Sequence, residues 1–292
     1  MNPAVQQFRY AASDGAQVAA WSLLPEGRPK AVVQIAHGMA EHMARYERLG
    51  RALADAGYAA YANDHRGHGK SADVHGLGDF GPRGFPGVVD DMAALSRLTK
   101  SENPEAPLVL IGHSMGSFAA QLYLLEHGSD LTGLVLSGTA AGDKLLEAVA
   151  ASGGGGRLES FNAPFEPART PFDWLSRDEA EVDAYVADPL CGFELEPASV
   201  QSVFQSTHGA TMDPRLTEVP KDLPILVISG EFDPVTGAGQ AFADTLVERY
   251  RKAGLRNVKH RIYPEGRHEL FNELNRDEVT ADMIAWLEQV AP

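Results

Sequence analysis

Short apolar runs alternate with longer stretches whose apolar residues recur every three or four positions, from one end of the chain to the other. That alternation predicts strands threaded between helices, an α/β fold with a largely parallel sheet. The opening pieces Val5–Tyr10 and Gln17–Ser22, parted by the turn signal Asp14-Gly15, read as a hairpin. "AVVQIA" at Ala31–Ala36 is a near-continuous apolar run, as expected of a strand buried on both faces. A helix is expected from Arg45 to Ala56, with Leu49, Leu53 and Ala56 on one stripe and Gly57 as its stop. A strand over Tyr58–Asn63, a helix over Val88–Lys100 and a strand over Leu108–Ile111 follow. The last runs straight into "GHSMG", Gly112–Gly116, and "SFAAQLYLLEHG" then reads as a helix closed by Gly128.

The next two strands, Leu131–Ser137 and Leu223–Ser229, leave residues 138–222 between them. A crossover helix with its loops needs roughly 20. The surplus predicts an inserted helical cap over 139–218, set on a core made of 1–138 and 219–292. Within it, "DKLLEAVAAS" and "SRDEAEVDAYVAD" read as helices, the second with Ser176 and Glu179 at capping-box spacing. A further helix is expected to start near Pro197. Gly153–Gly156 reads as either a plain surface loop or the hinge of a movable lid.

Composition narrows the function. With 25 Lys and Arg against 40 Asp and Glu, the net charge is -15, which speaks against nucleic acid and against electrostatic docking on anionic membranes. The N-terminal residues lack a signal-peptide pattern, and no apolar run approaches the ~20 residues of a membrane span. The single cysteine, Cys191, excludes an intrachain disulfide and suits a reducing compartment. A cytoplasmic location is the expectation.

The chemistry centres on Ser114. A serine between a buried strand and a helix, with glycine two places to either side, has the context of a nucleophile on a tight strand–turn–helix. Such a turn puts the Met115 amide at a helix N-terminus, where it favours a developing oxyanion. The acid and the histidine should follow in that order, past the ends of strands. "LPILVISGEFDPV" supplies Asp233 and "HRIYPEGRHEL" supplies His268. Glu231 rivals Asp233 but reads as strand-end, and His260 begins the last strand, at the wrong end of the sheet. His113 adjoins the serine but is expected to project away from its hydroxyl. The loop "HGMAEH", His37–His42, is either merely a tight turn or, as its place directly after "AVVQIA" favours, one whose Gly38 lets backbone approach a substrate and whose Met39 amide is the expected second oxyanion donor. His65, His68 and His75 have no cysteine or paired carboxylate beside them, so no metal site is expected there.

Two longer stretches, "HGMAEHMARYERLGRALADAGY" and "NDHRGHGKS", join "GHSMG", "GEFDPV" and "GRHE" in matching order over nearly the whole predicted core. In these the chain resembles α/β-hydrolases, and more narrowly their monoacylglycerol lipase and lysophospholipase-like branch. The resemblance implies a carboxylic ester hydrolase with a Ser114–Asp233–His268 triad, an oxyanion hole of Met39 and Met115, and no cofactor. It also implies that Glu41 and Arg45 lie near a polar pocket for the alcohol half of a small acyl ester, beside Gly38. The plainer reading of Glu41 and Arg45 is an exposed Glu and Arg at a helix entry, simply solvated or paired with each other. Leu145, Leu146, Val149, Phe161, Phe165 and Phe172 either accept an acyl chain or pack the cap onto the core. The Asp64–Ser71 loop is expected to be structural. Thioesterases and proline-type aminopeptidases share the triad, and a non-catalytic binding module is the alternative of another class. Epoxide hydrolases and dehalogenases of this fold use an aspartate nucleophile, which Ser114 argues against. No feature indicates a protein partner or an oligomeric state.

Overall fold

The computed structural model describes residues 4–72, 75–152 and 157–292. Eight strands form one sheet: β1 (Gln6–Ala11), β2 (Gln17–Leu23), β3 (Val32–Ala36), β4 (Ala59–Asn63), β5 (Leu108–His113), β6 (Gly133–Ser137), β7 (Ile225–Gly230) and β8 (Val258–Tyr263). Their spatial order is β1-β2-β4-β3-β5-β6-β7-β8. β2 is antiparallel to both its neighbours, and from β4 onward every pairing is parallel. β3, β4, β6 and β7 are buried at every residue, which is why they read as unbroken apolar runs rather than alternating ones.

Helices cover both faces. α1 (Glu47–Asp55) and α8 (Arg276–Val290) pack Leu49, Leu53, Met283, Trp286 and Leu287 onto one face with Trp21 and Tyr58. α2 (Gly84–Glu102), α3 (Met115–His127) and α7 (Ala241–Lys252) cover the other through Met92, Phe118, Tyr123 and Tyr250. α1 is shorter than its apolar stripe suggests, because Met43–Tyr46 forms a separate 3-10 turn before it. α2 starts earlier, at Gly84, with Pro86 tolerated in its first turn, where backbone amides have no helical acceptor anyway.

Between β6 and β7 the chain forms α4 (Gly142–Ser152), α5 (Glu179–Ala187) and α6 (Pro197–Thr207), joined by loops and 3-10 turns. α6 starts at the expected proline. The expected capping box on α5 does not form. Asp178 caps the helix, its carboxylate accepting from the Ala180 amide at 3.1 Å. Ser176 instead donates to the Asn272 carbonyl at 2.9 Å, so a tertiary bond takes the hydroxyl that the local pattern assigned to the cap. The glycine run Gly153–Gly156 lies outside the described residues. No described helix is long and apolar enough to cross a membrane.

Candidate active site

β5 ends and α3 begins at Ser114, whose φ of 50° and ψ of -120° are unusual for a residue with a side chain. The turn is held by the Ser114 amide donating to the Ser137 carbonyl at 2.9 Å, and by the Ser114 carbonyl accepting from Ser117 and Phe118. Glycine is required on both sides for want of space. A Cβ on Gly112 would stand 2.5 Å from the Gly116 carbonyl oxygen, and one on Gly116 would collide with the Ala36 and His37 carbonyls. Neither the Met39 nor the Met115 amide has a hydrogen-bond acceptor among the described residues. Met115 opens α3, so its free amide lies at the positive end of that helix.

Asp233 and His268 lie past the ends of β7 and β8, and both are buried. His268 Nδ1 stands 2.9 Å from Asp233 Oδ1. A carboxylate can only accept, so Nδ1 carries the proton and Nε2 presents a lone pair. That Nε2 is buried and has no hydrogen-bond partner among the described residues. Asp233 Oδ1 also accepts from the Val235 amide at 2.9 Å, which fixes the carboxylate. The rival Glu231 spends its carboxylate on the Glu265 amide at 2.9 Å. His260 is tied to Ser229 and Asp244, inside β8 and away from the strand ends.

Ser114 also lines an apolar cleft of about 650 Å³, its open mouth included, with Met39, Met115, Phe118, Leu145, Leu146, Val149, Phe161 and Trp174 among its walls. Met39, Leu158, Val203 and Phe204 are shared with an adjoining lobe that contains Phe172. Phe165 is elsewhere, its ring under the Arg267 guanidinium.

Comparison with known proteins gives the family. The serine aminopeptidase S33 family, Hydrolase_4, matches residues 27–275. The chain belongs to this family. It is 31% identical to a monoacylglycerol lipase of Mycolicibacterium smegmatis over 90% of each chain. To the human monoglyceride lipase it is 29% identical over 86% of this chain and 83% of that one. A thermostable carboxyl esterase from Bacillus coagulans, solved with glycerol, superposes with a TM-score of 0.86 at 30% identity over 99% of both chains. This Hydrolase_4 member is thus an α/β-hydrolase of a lipase and esterase family.

In this hydrolase the "NDHRGHGKS" loop turns out to brace the Met39 loop. His68 Nε2 accepts from the Ala40 amide at 3.1 Å, and His37 Nε2 accepts from the His65 amide at 3.0 Å. His65 Nε2 in turn donates to the His37 carbonyl at 3.1 Å. Each bond fixes one neutral tautomer, and burial holds all three imidazoles neutral: His65 is pushed down to about 3, His68 to about 4, and His37 well below its ordinary value. Asp64 accepts from Met43 and Lys70 amides, while Arg66 forks onto Asp91.

Glu41 is buried and the Arg45 side chain only 11% exposed, which corrects the expected exposure, while the two are paired with each other as that reading allowed. Glu41 accepts from the Gly38 amide, the Tyr46 hydroxyl at 2.8 Å and Arg45 at 2.8 Å. Arg45 also forks onto Glu269 at 2.5 and 2.7 Å. Burial works against both carboxylates, but the forked pairing draws Glu269 down to about 2, whereas Glu41 is pushed up by its burial.

Two contacts to His268 had no local signal. Its ring is flanked by Trp174 and His113, with centroids 4.7 Å and 4.6 Å away. The His268 amide also donates to the Trp174 carbonyl at 3.4 Å. His113, held uncharged by burial and by its histidine neighbour, packs on the His268 ring.

Proposed function

We propose that this hydrolase cleaves small carboxylic esters of the monoacylglycerol type through an acyl-enzyme on Ser114. The observation that carries the reading is the junction at Ser114. Ser114 shares an apolar cleft with Met39 and Met115, whose amides are free, and His268, whose Nε2 is unpartnered, packs on His113, the residue before Ser114. Ser114 Oγ attacks the ester carbonyl and His268 Nε2 takes its proton. Asp233 keeps the imidazole in the productive tautomer and stabilises the imidazolium. The Met39 and Met115 amides receive the tetrahedral oxyanion, a role that removal of one donor in related chemistry prices at about 3–4 kcal/mol. His268 then protonates the leaving alcohol, and water repeats the sequence to free the acid. Residues 139–218 act as the cap that roofs this cleft.

Glu41 serves this chemistry by holding the Gly38 amide, and so the oxyanion loop. Arg45, with Glu269, walls the polar side toward the alcohol. An aminopeptidase needs a spare carboxylate for a substrate ammonium. Glu41 and Glu269 are both already engaged by Arg45, and the cleft over Ser114 is apolar. The test is a panel of monoacylglycerols of graded chain length, run beside matched thioesters and aminoacyl amides. Ester turnover absent from Ser114→Ala and an acyl-length optimum are expected. Turnover of thioesters or amides in preference to esters overturns the substrate class.

A further inference from the structure

His42, Asp188 and Cys191 bring one nitrogen, one carboxylate oxygen and one sulfur within 4.8 Å of one another, the one such trio among the described residues. His42 belongs to the loop after β3, three residues past Met39, whereas Asp188 and Cys191 follow α5. We propose that these three side chains form a binding site for a zinc-class divalent ion that ties the segment after α5 to the loop after β3.

Several features favour a built site over a chance meeting. Asp188 and Cys191 are three residues apart on one tight turn, the short spacing from which paired metal ligands commonly come. That turn is fixed from within: Asp188 Oδ1 accepts from the Leu190 amide at 2.8 Å, and the Cys191 amide donates to the Asp188 carbonyl at 3.0 Å. Oδ2 is thereby left pointing at His42 Nε2, 2.9 Å away. The next amide, Gly192, donates to the Ala40 carbonyl at 2.9 Å, which pins the cysteine end to the His42 loop. Such outer contacts are what hold metal ligands in place. Tetrahedral zinc needs its N, O and S donors about 3.3–3.6 Å apart, so side-chain adjustment of roughly 1 Å completes the shell without moving backbone. All three groups are partly accessible, so an ion can enter.

Charge and donor type agree. Arg45, the cation beside Cys191, is already matched by Glu41 and Glu269, so Asp188 adds negative charge that Arg45 does not balance. A mixed N, O and S set selects zinc-like ions over magnesium or calcium, which take oxygen. On binding, the Zn–S bond replaces the S–H bond and the thiol proton goes to solvent. The proton that His42 Nε2 donates to Asp188 in the free protein passes through solvent to Nδ1 as the Zn–N bond forms. One proton is released per ion, and solvent fills the fourth position.

The chain's single cysteine makes the test specific. The reduced, chelator-stripped protein is titrated with Co2+ and then with Zn2+ at mildly alkaline pH. A thiolate-to-cobalt charge-transfer band saturating at one ion per chain is expected, with Zn2+ displacing Co2+, shielding Cys191 from a maleimide and raising Tm. Cys191→Ser should lose the band, and His42→Gln and Asp188→Asn should each weaken binding at least tenfold, with circular dichroism melts reporting their folding. Absence of the band in the wild-type protein overturns the proposal. So does a band that persists undiminished in both folded His42→Gln and Asp188→Asn, which marks a lone-thiol adduct. Zn2+ binding equally tight in Cys191→Ser overturns it as well.

Discussion

Ser114 sits at a φ that costs a side-chain-bearing residue of the order of 1–3 kcal/mol. The turn exists because its neighbours lack Cβ atoms, so Gly116→Ala should lower stability by more than about 2 kcal/mol and abolish turnover. An urea midpoint and an activity equal to wild type would contradict this. His68 offers a subtler test, because it touches no substrate in the proposed reaction. Its one bond to the oxyanion loop is to the Ala40 amide. Leaving that buried donor unpaired costs about 1–3 kcal/mol, so His68→Ala should lose roughly tenfold in kcat with KM nearly unchanged. His68→Asn keeps an acceptor and should recover part of the loss. Equal losses in both variants would mean that His68 fills space and does not position the loop. Ser114, Asp233 and His268 were legible as candidates, because each follows a strand and sits in the loop or turn past its end. The Ala40 bond was not, since nothing local to "DHRGHG" says which backbone amide an imidazole will meet 28 residues back.

α4 presents Leu145, Leu146 and Val149 to the cleft, and Trp174 and Tyr185 reach down from the segments around α5. Tyr185 donates to the Ala40 carbonyl at 2.9 Å, so Ala40 is held at its amide by His68 and at its carbonyl by α5. Leu146→Trp should fill the acyl cleft and cut kcat/KM for long-chain esters at least tenfold while sparing short ones. A uniform loss across chain lengths would take Leu146 out of the acyl path. Trp174→Ala should lower kcat severalfold by uncovering one face of His268, with Trp174→Phe close to wild type. Periodicity and the long separation of β6 from β7 made the helices of this region legible. Its capping was not, because Ser176 is drawn off by Asn272 some 96 residues away. Of the six apolar residues singled out by sequence, Leu145, Leu146, Val149 and Phe161 line the cleft with Ser114. Phe172 lines the adjoining lobe, and Phe165 packs against Arg267. Composition alone had no means to separate them.

Across the whole molecule, the buried neutral histidines make folding sensitive to acid. His37, His65, His68 and His113 all have folded values depressed below the ordinary 6.5. The unfolded chain therefore takes up protons first, and the stability they contribute is complete above about pH 6.5 and lost as pH falls toward 4. Glu269, held near 2, adds a loss of the same sign below its unfolded value of 4.5, while the raised Glu41 partly opposes it. The urea midpoint should fall steeply between about pH 7 and pH 5, a change on the order of a few kcal/mol. A flat midpoint over that range would show that these imidazoles titrate freely. The largely parallel sheet and its helix cover were legible from apolar runs, because strands buried on both faces carry that mark, but the spatial order of the strands was not, since no run records its neighbours. His37, His65 and His68 meet across the ends of β3 and β4, and His113 at the end of β5 meets His268 past that of β8, a property of the assembled sheet and of no single segment. The central claim is that one serine, activated by His268, carries the acyl group. It is tested most directly by brief reaction with an organophosphorus ester followed by peptide mass analysis. A single adduct on the peptide bearing Ser114, formed rapidly by the folded protein and slowed at least 100-fold by His268→Ala, is the predicted result. No adduct on the folded protein, or one on another residue, would contradict the account.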